Sequence, residues 1–184
     1  MSMVYGKRVR LRGAERSDLE KFVEWINDPE VTAGLTLSLP MSSVDEEKWF
    51  EDAMQRPQAE KPLVIDMKDG TDWRLIGNSS FFDFNWMARS AEVGIMIGEK
   101  TLWNQGYGTE AMTLLQRHGF GTLNLNRIYL RVYADNKRAI RTYEKAGFVH
   151  EGRMRQAVYK HGKYDDVLFM SVLSEEWNAR NKEI

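Results

Sequence analysis

The sequence contains no cysteine, which excludes disulfide bonds, thiolate nucleophiles and cysteine-ligated metal sites. Histidine is scarce, and the three histidines have no metal-ligand spacing, so we expect no metal ion. An excess of one charge is also absent, because 26 basic and 27 acidic residues are interspersed and leave a net charge of −1. This balance gives no indication of a nucleic-acid partner.

Long apolar runs are missing as well. No run approaches the ~20 residues that a membrane-spanning helix needs, and residues 1–12 are charged and strand-like, unlike a signal peptide. We therefore expect no membrane partner and a cytoplasmic location. With 184 residues and a hydrophobic fraction of 42%, the chain is long enough to bury a core, and we expect a single domain over residues 1–184.

Periodicity and turn signals predict a mixed α/β sheet, because strands occur in runs with helices between them. Gly77 is expected to mark a bulge and Gly147 to end a helix. Alternation predicts seven strands, at residues 7–13, 62–68, 73–83, 91–98, 127–134, 148–159 and 163–174. Helical spacing predicts helices opened by S-x-x-E capping boxes at Ser17 and Ser43, helices at 109–123 and 135–147, and a helix-prone or frayed end at 175–184.

A glycine-rich segment stands between an apolar run at 93–97 and a helical run at 111–120, and it reads Trp103-Asn104-Gln105-Gly106-Tyr107-Gly108-Thr109-Glu110-Ala111. A glycine loop that opens a helix presents bare backbone N–H groups at the positive end of the helix dipole, which suits a phosphate. A purely structural tight turn is the alternative. The segment is not a P-loop, because no Lys-Ser/Thr follows its glycines. It also lacks the later acidic residue of a dinucleotide-binding unit.

Two further features accompany this loop. Asn136 and Tyr143 lie seven positions apart and share one face of a predicted helix, where they can present an amide and a phenol to one ligand. An N-cap with a core tyrosine is the alternative. The third feature is the strand that leads into the glycine loop. If its neighbour diverges, the backbone groups of Ile95 and Ile97 are unpaired and can bond an extended, amide-bearing ligand.

A glycine loop followed by N-x-x-A-x-x-x-Y-x-K-x-G-F at residues 136–148 resembles the GNAT superfamily of acetyl-CoA-dependent N-acetyltransferases. The arginine-rich opening, the run W-N-Q-G-Y-G-T-E-A and the residues from Phe148 to Tyr164 resemble its RimJ/RimL-type branch. The resemblance implies a mixed, mostly antiparallel twisted sheet of about seven strands flanked by about four helices. Its central strands, at 91–98 and 127–134, are expected to part and admit the cofactor.

The resemblance implies that acetyl-CoA is the co-substrate and that backbone N–H groups around Gly106 and Gly108 hold its pyrophosphate. Trp103 stands where the family has Gln or Arg, so the loop is expected to bind the pyrophosphate mainly through its backbone N–H groups. The implied cofactor-binding residues are Met96, Ile97, Trp103, Asn104, Gln105, Gly106, Tyr107, Gly108, Thr109, Asn136, Ala139 and Tyr143.

The same resemblance assigns roles in the reaction. Met96, Ile97 and Asn136 would contact the pantetheine arm, and Tyr143 would stand near the thioester sulfur as the general acid. A free amine is mostly protonated near neutral pH, so a base must remove a proton before the amine attacks. Glu92 is the first candidate for that base, and a strand-edge carboxylate in a salt bridge is the alternative. Direct attack needs no covalent enzyme intermediate, which suits a chain without cysteine.

The acceptor implied by the resemblance is a primary amine: a protein N-terminus, a polyamine or another small amine. The final hairpin could also pair across a homodimer. Two alternatives remain open, namely a non-catalytic acyl-CoA-binding or sensor domain of the same fold, and a protein–protein module without CoA affinity. The acceptor pocket is expected from residues 35–41, 81–86 and 154–164, with Asp83, Asp165 and Asp166 as acidic residues that could attract a cationic amine.

Overall fold

The computed structural model describes residues 3–35, 40–160 and 162–181. Over these ranges the chain forms eight β-strands and five α-helices, joined by loops and short 3₁₀ turns. In chain order they are β1 (Val4–Tyr5), β2 (Val9–Gly13), α1 (Leu19–Ile26), α2 (Ser43–Met54), β3 (Leu63–Asp69), β4 (Asp72–Asn85), β5 (Ser90–Ile97), α3 (Tyr107–Gly121), β6 (Arg127–Tyr133), α4 (Lys137–Lys145), β7 (Val149–Lys160), β8 (Lys163–Leu173) and α5 (Ser174–Asn181). None of these described helices is long and apolar enough to cross a membrane.

The strands follow the order β1-β2-β3-β4-β5-β6-β8-β7. Successive strands from β1 to β4 pair antiparallel, as do β6 with β8 and β8 with β7, whereas β5 pairs parallel with β6. The expected mixed, mostly antiparallel sheet is therefore confirmed. The sequence predicts one strand and one helix too few, because β1 has only two residues and shows no alternation, and because the helix-prone end does form α5.

The two central strands separate early. Pairing between β5 and β6 covers only residues 90–92 against 127–129. β6 nevertheless continues to pair with β8 as far as Tyr133, so β6 remains in a regular ladder after its pairing with β5 ends. The parting that the sequence predicts for these strands therefore begins directly after Glu92.

The chain divides into two compact units, which we call unit 1 (Met1–Phe81 with Ile95–Ala111) and unit 2 (Phe82–Gly94 with Met112–Ile184). The expectation of a single domain over residues 1–184 stays a prediction. Unit 1 contains a hydrophobic cluster to which α1 contributes one face, because residues three positions apart meet on one side of a helix. The buried members of this cluster are Leu19, Phe22, Trp25, Val31, Phe50 and Val64.

β2 shows the alternation that the sequence predicts, since Val9 and Leu11 are buried. On the opposite side, Arg10 and Arg12 donate to the buried carboxylate of Asp66, at 2.8 and 3.0 Å. A buried carboxylate is costly unless charged donors satisfy it. The arginines of this strand are therefore partly structural, because they compensate the burial of an acidic residue on β3.

The helix caps of unit 1 differ in position from the predicted S-x-x-E boxes. The reciprocal pair before α1 is Glu15 with Asp18, and the pair at α2 is Ser42 with Asp45. Each pair lies one or two residues before the predicted box. A short polar side chain at either position can satisfy the first helical N–H groups, so the motif locates a helix start only to within a residue or two.

Unit 2 follows the sequence predictions closely in β6 and α4. Ile128, Leu130 and Val132 of β6 alternate as buried residues. After α4 ends, Gly147 has a φ angle of +87° and donates its N–H to the carbonyl of Glu144 at 2.9 Å. Only glycine adopts this left-handed conformation without strain, so the predicted helix-ending role of Gly147 is confirmed.

Candidate active site

In unit 1 the glycine loop leads directly into α3. Asn104 and Gly106 have positive φ angles of 62° and 84°, so the chain turns sharply before the helix. The first helical bond runs from the N–H of Glu110 to the carbonyl of Gly106 at 3.0 Å. The N–H groups of Gly106, Tyr107 and Gly108 precede that bond and have no carbonyl partner within the helix. This arrangement fits the anion-binding role that the sequence predicts for the loop.

An ion pair fastens the loop to the start of β2. The carboxylate of Glu110 accepts from the backbone N–H of Arg8 at 2.6 Å, from Arg8 Nε at 2.9 Å and from the N–H of Val9 at 3.2 Å. Arg8 Nη1 also donates to the carbonyl of Gln105 at 3.1 Å, and its guanidinium lies 4.6 Å from the ring centroid of Tyr107. Burial alone would raise the pKa of Glu110, but these donors outweigh burial and lower it. The carboxylate therefore stays ionised and holds the start of α3.

The side chain of Trp103 takes part in the packing of unit 1. It packs against the hydrophobic cluster, and its Nε1 donates to the carbonyl of Ile97 at 2.8 Å. The expectation that the backbone groups of Ile97 are unpaired is therefore wrong for its carbonyl. Gln105 Nε2 donates to the carbonyl of Thr101 at 2.7 Å. Because both long side chains are bonded within unit 1, the backbone is left as the main anion-binding element of the loop.

Met96 is half-buried and packs against the same cluster. At Gly77 on β4, an added Cβ would overlap the carbonyl oxygen of Met96 and lie 3.1 Å from the Cα of Ile97. The register between β3 and β4 shifts beside Gly77, so the predicted bulge is present. Glycine at this position therefore permits a close backbone approach to β5. Contact of Met96 and Ile97 with a pantetheine arm stays a prediction, as do the cofactor contacts of residues 103–109.

In unit 2, Asn136 caps α4. Its side-chain oxygen accepts from the N–H of Ala139 at 3.1 Å, and its carbonyl accepts from the N–H of Ile140 at 3.1 Å. This is the N-cap that the sequence left open as the alternative to ligand binding. The side-chain NH₂ of Asn136 has no partner among the described residues, so the cap leaves donors for a ligand. The cofactor contacts of Asn136 and of the half-buried Ala139 stay predictions.

Tyr143 is buried on α4, with 9% of its surface exposed, and its ring centroid lies 6.0 Å from that of Phe148. Burial raises the pKa of Tyr143 to about 12, so the phenol keeps its proton at neutral pH. Within the described residues its hydroxyl has no hydrogen-bond partner. A protonated, unengaged phenol suits a general acid, and this role for Tyr143 stays a prediction.

The carboxylate of Glu92 is buried, with 4% of the residue exposed, and both oxygens accept from Arg131. Nε and Nη2 of Arg131 lie 2.9 and 2.8 Å from those oxygens. This is the salt bridge that the sequence left open as the alternative to catalysis. Two parallel hydrogen bonds from one guanidinium engage both oxygens of the carboxylate and fix its orientation. A base role for Glu92, which stays a prediction, therefore requires Arg131 to release one oxygen.

Asp83 and Tyr129 form a second polar pair in unit 2. Asp83 has a positive φ angle of 52°, which is uncommon for a non-glycine residue, and its Oδ2 accepts from the Tyr129 hydroxyl. Burial and this hydrogen bond raise the pKa of Tyr129 to about 12. Asp83 Oδ1 has no partner in the described part of the chain. By contrast, Asp166 accepts from Arg153 and from the N–H of Gln156.

The expected acceptor pocket can be followed only in part. Residues 36–39, inside the expected segment 35–41, and His161, inside 154–164, lie outside the described residues. All three acidic residues of the expected lining are described. Asp83 is exposed, whereas Asp165 accepts from the N–H of Asp166 and Asp166 accepts from Arg153 and Gln156.

Sequence reasoning missed two arginines that the structure places beside predicted site residues, Arg8 and Arg131. For Arg8 no local signal exists, because 102 positions separate it from Glu110. For Arg131 a signal was present: once residues 91–98 and 127–134 are taken as neighbouring strands, an acidic and a basic side chain fall within two residues of each other across the pair.

Known proteins share both the sequence and the fold. The family model for the acetyltransferase (GNAT) domain matches residues 8–149. The spermidine N(1)-acetyltransferase of Vibrio cholerae serotype O1 is 32% identical over 178 residues, which cover 95% of this chain and 98% of that protein. The spermidine N(1)-acetyltransferase of Escherichia coli K12 is 28% identical over 174 residues, covering 95% of this chain and 90% of that protein. The crystal structure of a Vibrio cholerae spermidine N-acetyltransferase in complex with CoA and spermine matches with a TM-score of 0.85 at 26% identity, covering 94% of this chain and 99% of that one.

Proposed function

The chain belongs to the GNAT family of acetyltransferases and is an acetyl-CoA-dependent N-acetyltransferase, and we propose that its acceptor is a polyamine of the spermidine class. The observation that carries this proposal is similarity over nearly the full length of both chains to the Vibrio cholerae spermidine N(1)-acetyltransferase. The solved relative holds CoA together with spermine. The RimJ/RimL-type branch, which includes spermidine acetyltransferases, is part of the same proposal.

The glycine loop of unit 1 is chemically suited to the cofactor. When bound, acetyl-CoA supplies an activated acetyl thioester for transfer. Gly106, Tyr107 and Gly108 offer backbone N–H donors at the positive end of α3, and such donors match the charge and acceptor oxygens of a pyrophosphate. We therefore assign cofactor binding in unit 1 to this loop. Within the described residues, no group of three or more His, Asp or Glu side chains is placed to hold a metal ion.

In unit 2 we assign the two proton transfers to side chains. Tyr143 Oη holds its proton at neutral pH and would deliver it to the departing sulfur. Glu92 would take a proton from the acceptor nitrogen, directly or through a water molecule, after Arg131 releases one of its oxygens. The burial that raises the pKa of Tyr143 to about 12 keeps this phenol protonated at neutral pH, as the acid role requires.

A polyamine acceptor also suits the acidic surface of unit 2. Polyamines carry several ammonium groups near neutral pH, because unperturbed alkylamines titrate near pH 10. Asp83 is exposed, is fixed by Tyr129 and keeps Oδ1 available within the described residues. Such a carboxylate can bind a second ammonium group while another nitrogen reacts.

Thiol release from acetyl-CoA tests the proposal. We expect release with spermidine and spermine, with kcat/KM about fivefold above that for a serine-initiated peptide, because only the polyamine carries a second cation for Asp83 and an exposed ion pair contributes up to about 1 kcal/mol. Mass spectrometry should show a single added acetyl group on the polyamine. Turnover of the peptide without turnover of either polyamine would overturn the acceptor proposal. CoA binding without release with any amine would select the non-catalytic acyl-CoA-binding alternative.

Two expectations stay predictions. The first is a homodimer formed through the β7–β8 hairpin, which size-exclusion chromatography with light scattering can test. The second is the cytoplasmic location.

A further inference from the structure

We infer that Arg8 binds the pyrophosphate of CoA and supplies the cation that the loop lacks because its first residue is Trp103. This inference rests on the proposed use of the glycine loop for the cofactor and adds a side chain to it. Arg8 precedes β2 and belongs to no part of the motif by which the loop resembles its family.

The guanidinium of Arg8 has donors to spare. Of its five N–H donors, Nε binds Glu110 and Nη1 binds the carbonyl of Gln105. Within the described residues Nη2 has no partner. Nη2 faces the loop, because it would lie 3.3 Å from a Cβ placed on Gly106. An unused guanidinium nitrogen therefore lies beside the residue whose N–H begins the anion-binding turn.

The same guanidinium is held in a fixed position. Glu110 binds it at one edge, Gln105 binds it at another, and the Tyr107 ring lies 4.6 Å from its central carbon. Arginine suits phosphate because its planar fork can donate two parallel hydrogen bonds, and a fork that is already oriented loses less entropy on binding. With 44% of the side chain exposed, Arg8 remains accessible to a ligand.

Other candidates for this role in unit 1 are engaged elsewhere. The indole N–H of Trp103 is bonded to the carbonyl of Ile97. Lys100, the cation nearest in sequence before the loop, pairs with Asp28 at 2.7 Å and Glu30 at 3.0 Å. Arg8 therefore combines a free donor with a position beside Gly106, which neither of these residues does.

Isothermal titration calorimetry with three ligands tests the inference. CoA carries the pyrophosphate and a 3′-phosphate, dephospho-CoA keeps the pyrophosphate alone, and pantetheine has neither. We expect Arg8→Gln to weaken CoA and dephospho-CoA by about tenfold each, because a partly exposed, charge-assisted bond is lost. Pantetheine binding should stay within about twofold of wild type.

Three control variants separate the effects of net charge, of the guanidinium fork and of the carboxylate that binds Arg8. Lys7→Gln removes the same charge one residue earlier and should leave all three affinities unchanged. Arg8→Lys keeps the charge without the fork and should recover part of the lost CoA affinity. Glu110→Gln removes the carboxylate that holds Arg8. If Arg8 acts only by fixing Glu110, this variant should weaken CoA as much as Arg8→Gln does. We expect a clearly smaller loss, because Arg8 keeps its charge and its bond to the carbonyl of Gln105.

Several results would overturn the inference: unchanged CoA affinity in Arg8→Gln, an equal loss with pantetheine, or a loss confined to CoA, which would assign Arg8 to the 3′-phosphate. The outcome is separable from the acceptor proposal. Wild-type protein that binds CoA but acetylates no polyamine would refute the acceptor and leave the Arg8 result standing. Wild-type protein that binds no CoA would refute both.

Discussion

Replacing Tyr143 by Phe removes one oxygen from a buried ring and tests the proposed acid. The hydroxyl has no hydrogen-bond partner among the described residues, so its loss leaves no other group unsatisfied. Removing a hydroxyl that has no hydrogen-bond partner among the described residues should change the free energy of unfolding by less than about 1 kcal/mol. A general acid typically contributes about 10²- to 10⁴-fold to the rate, which corresponds to roughly 3 to 5 kcal/mol of the barrier. We therefore expect kcat to fall at least 100-fold while stability is retained.

The pH dependence of the wild-type reaction gives a second test of Tyr143. An acid works only while it holds its proton, and burial raises the pKa of this phenol to about 12. A phenol with the ordinary pKa of 10.0 would be half deprotonated at pH 10. The raised value shifts any alkaline loss of kcat that depends on Tyr143 to a higher pH. We expect kcat to hold steady between about pH 8 and pH 10.

The assay combines initial rates of thiol release at saturating acetyl-CoA and spermidine with thermal unfolding and calorimetric CoA affinity. Tyr5→Phe removes the same oxygen from an exposed residue of unit 1 and serves as the control, with no expected change in kcat. A kcat within threefold of wild type in Tyr143→Phe would remove Tyr143 from the acid role. A large loss of stability in that variant would show that the hydroxyl makes a structural hydrogen bond. The argument that this hydroxyl has no partner and is available to the substrate would then be refuted.

Further substitutions test three particular contacts. Arg127 lowers the pKa of Glu151 from 4.5 to about 2, so Glu151 contributes stability above pH 4.5 that is lost as the pH falls towards 2. Urea midpoints should therefore be lower for Glu151→Gln than for wild type at pH 7 and converge on acidification, and a constant difference would contradict the ion pair. Asn136→Ala should cost about 1 kcal/mol of stability, because the N-cap of α4 is lost. Asn136→Ser keeps a capping side chain, so stability should be retained while CoA affinity falls. Unchanged CoA affinity in Asn136→Ser would show that Asn136 is only a cap. Glu92→Gln should lower kcat/KM at least tenfold, and an equal loss in Arg131→Gln would instead indicate a purely structural pair.

Much of the fold could be predicted because it depends on local patterns. The alternation in β2 and β6 follows from strands with one buried face, and the end of α4 follows from the left-handed backbone that Gly147 permits. β1 could not be predicted in this way. Two residues cannot show a period, and they form a strand only because β2 offers a partner.

In the candidate site, too, local features could be predicted from the sequence and tertiary contacts could not. The glycine loop before α3 and the cap at Asn136 are local, so spacing in the sequence was enough to predict both. The pairs that hold the neighbouring charges are tertiary, with 102 positions between Arg8 and Glu110 and 39 between Arg131 and Glu92. No window of sequence contains both partners, so spacing alone could not show whether Glu92 is free or engaged.

Trp103 shows how a departure from a family pattern can be explained by packing. An indole at the loop's first position fills space beside the cluster of α1 and α2 and bonds the carbonyl of Ile97, which stabilises the end of β5. A Gln or Arg at the same position would provide polar donors but would not fill that apolar space. Because the indole has a single donor and that donor is already used, the side chain has no donor left for a phosphate. The charge at the loop must then come from another part of unit 1, and Arg8, held beside Gly106 by Glu110 and Gln105, is in the position to supply it.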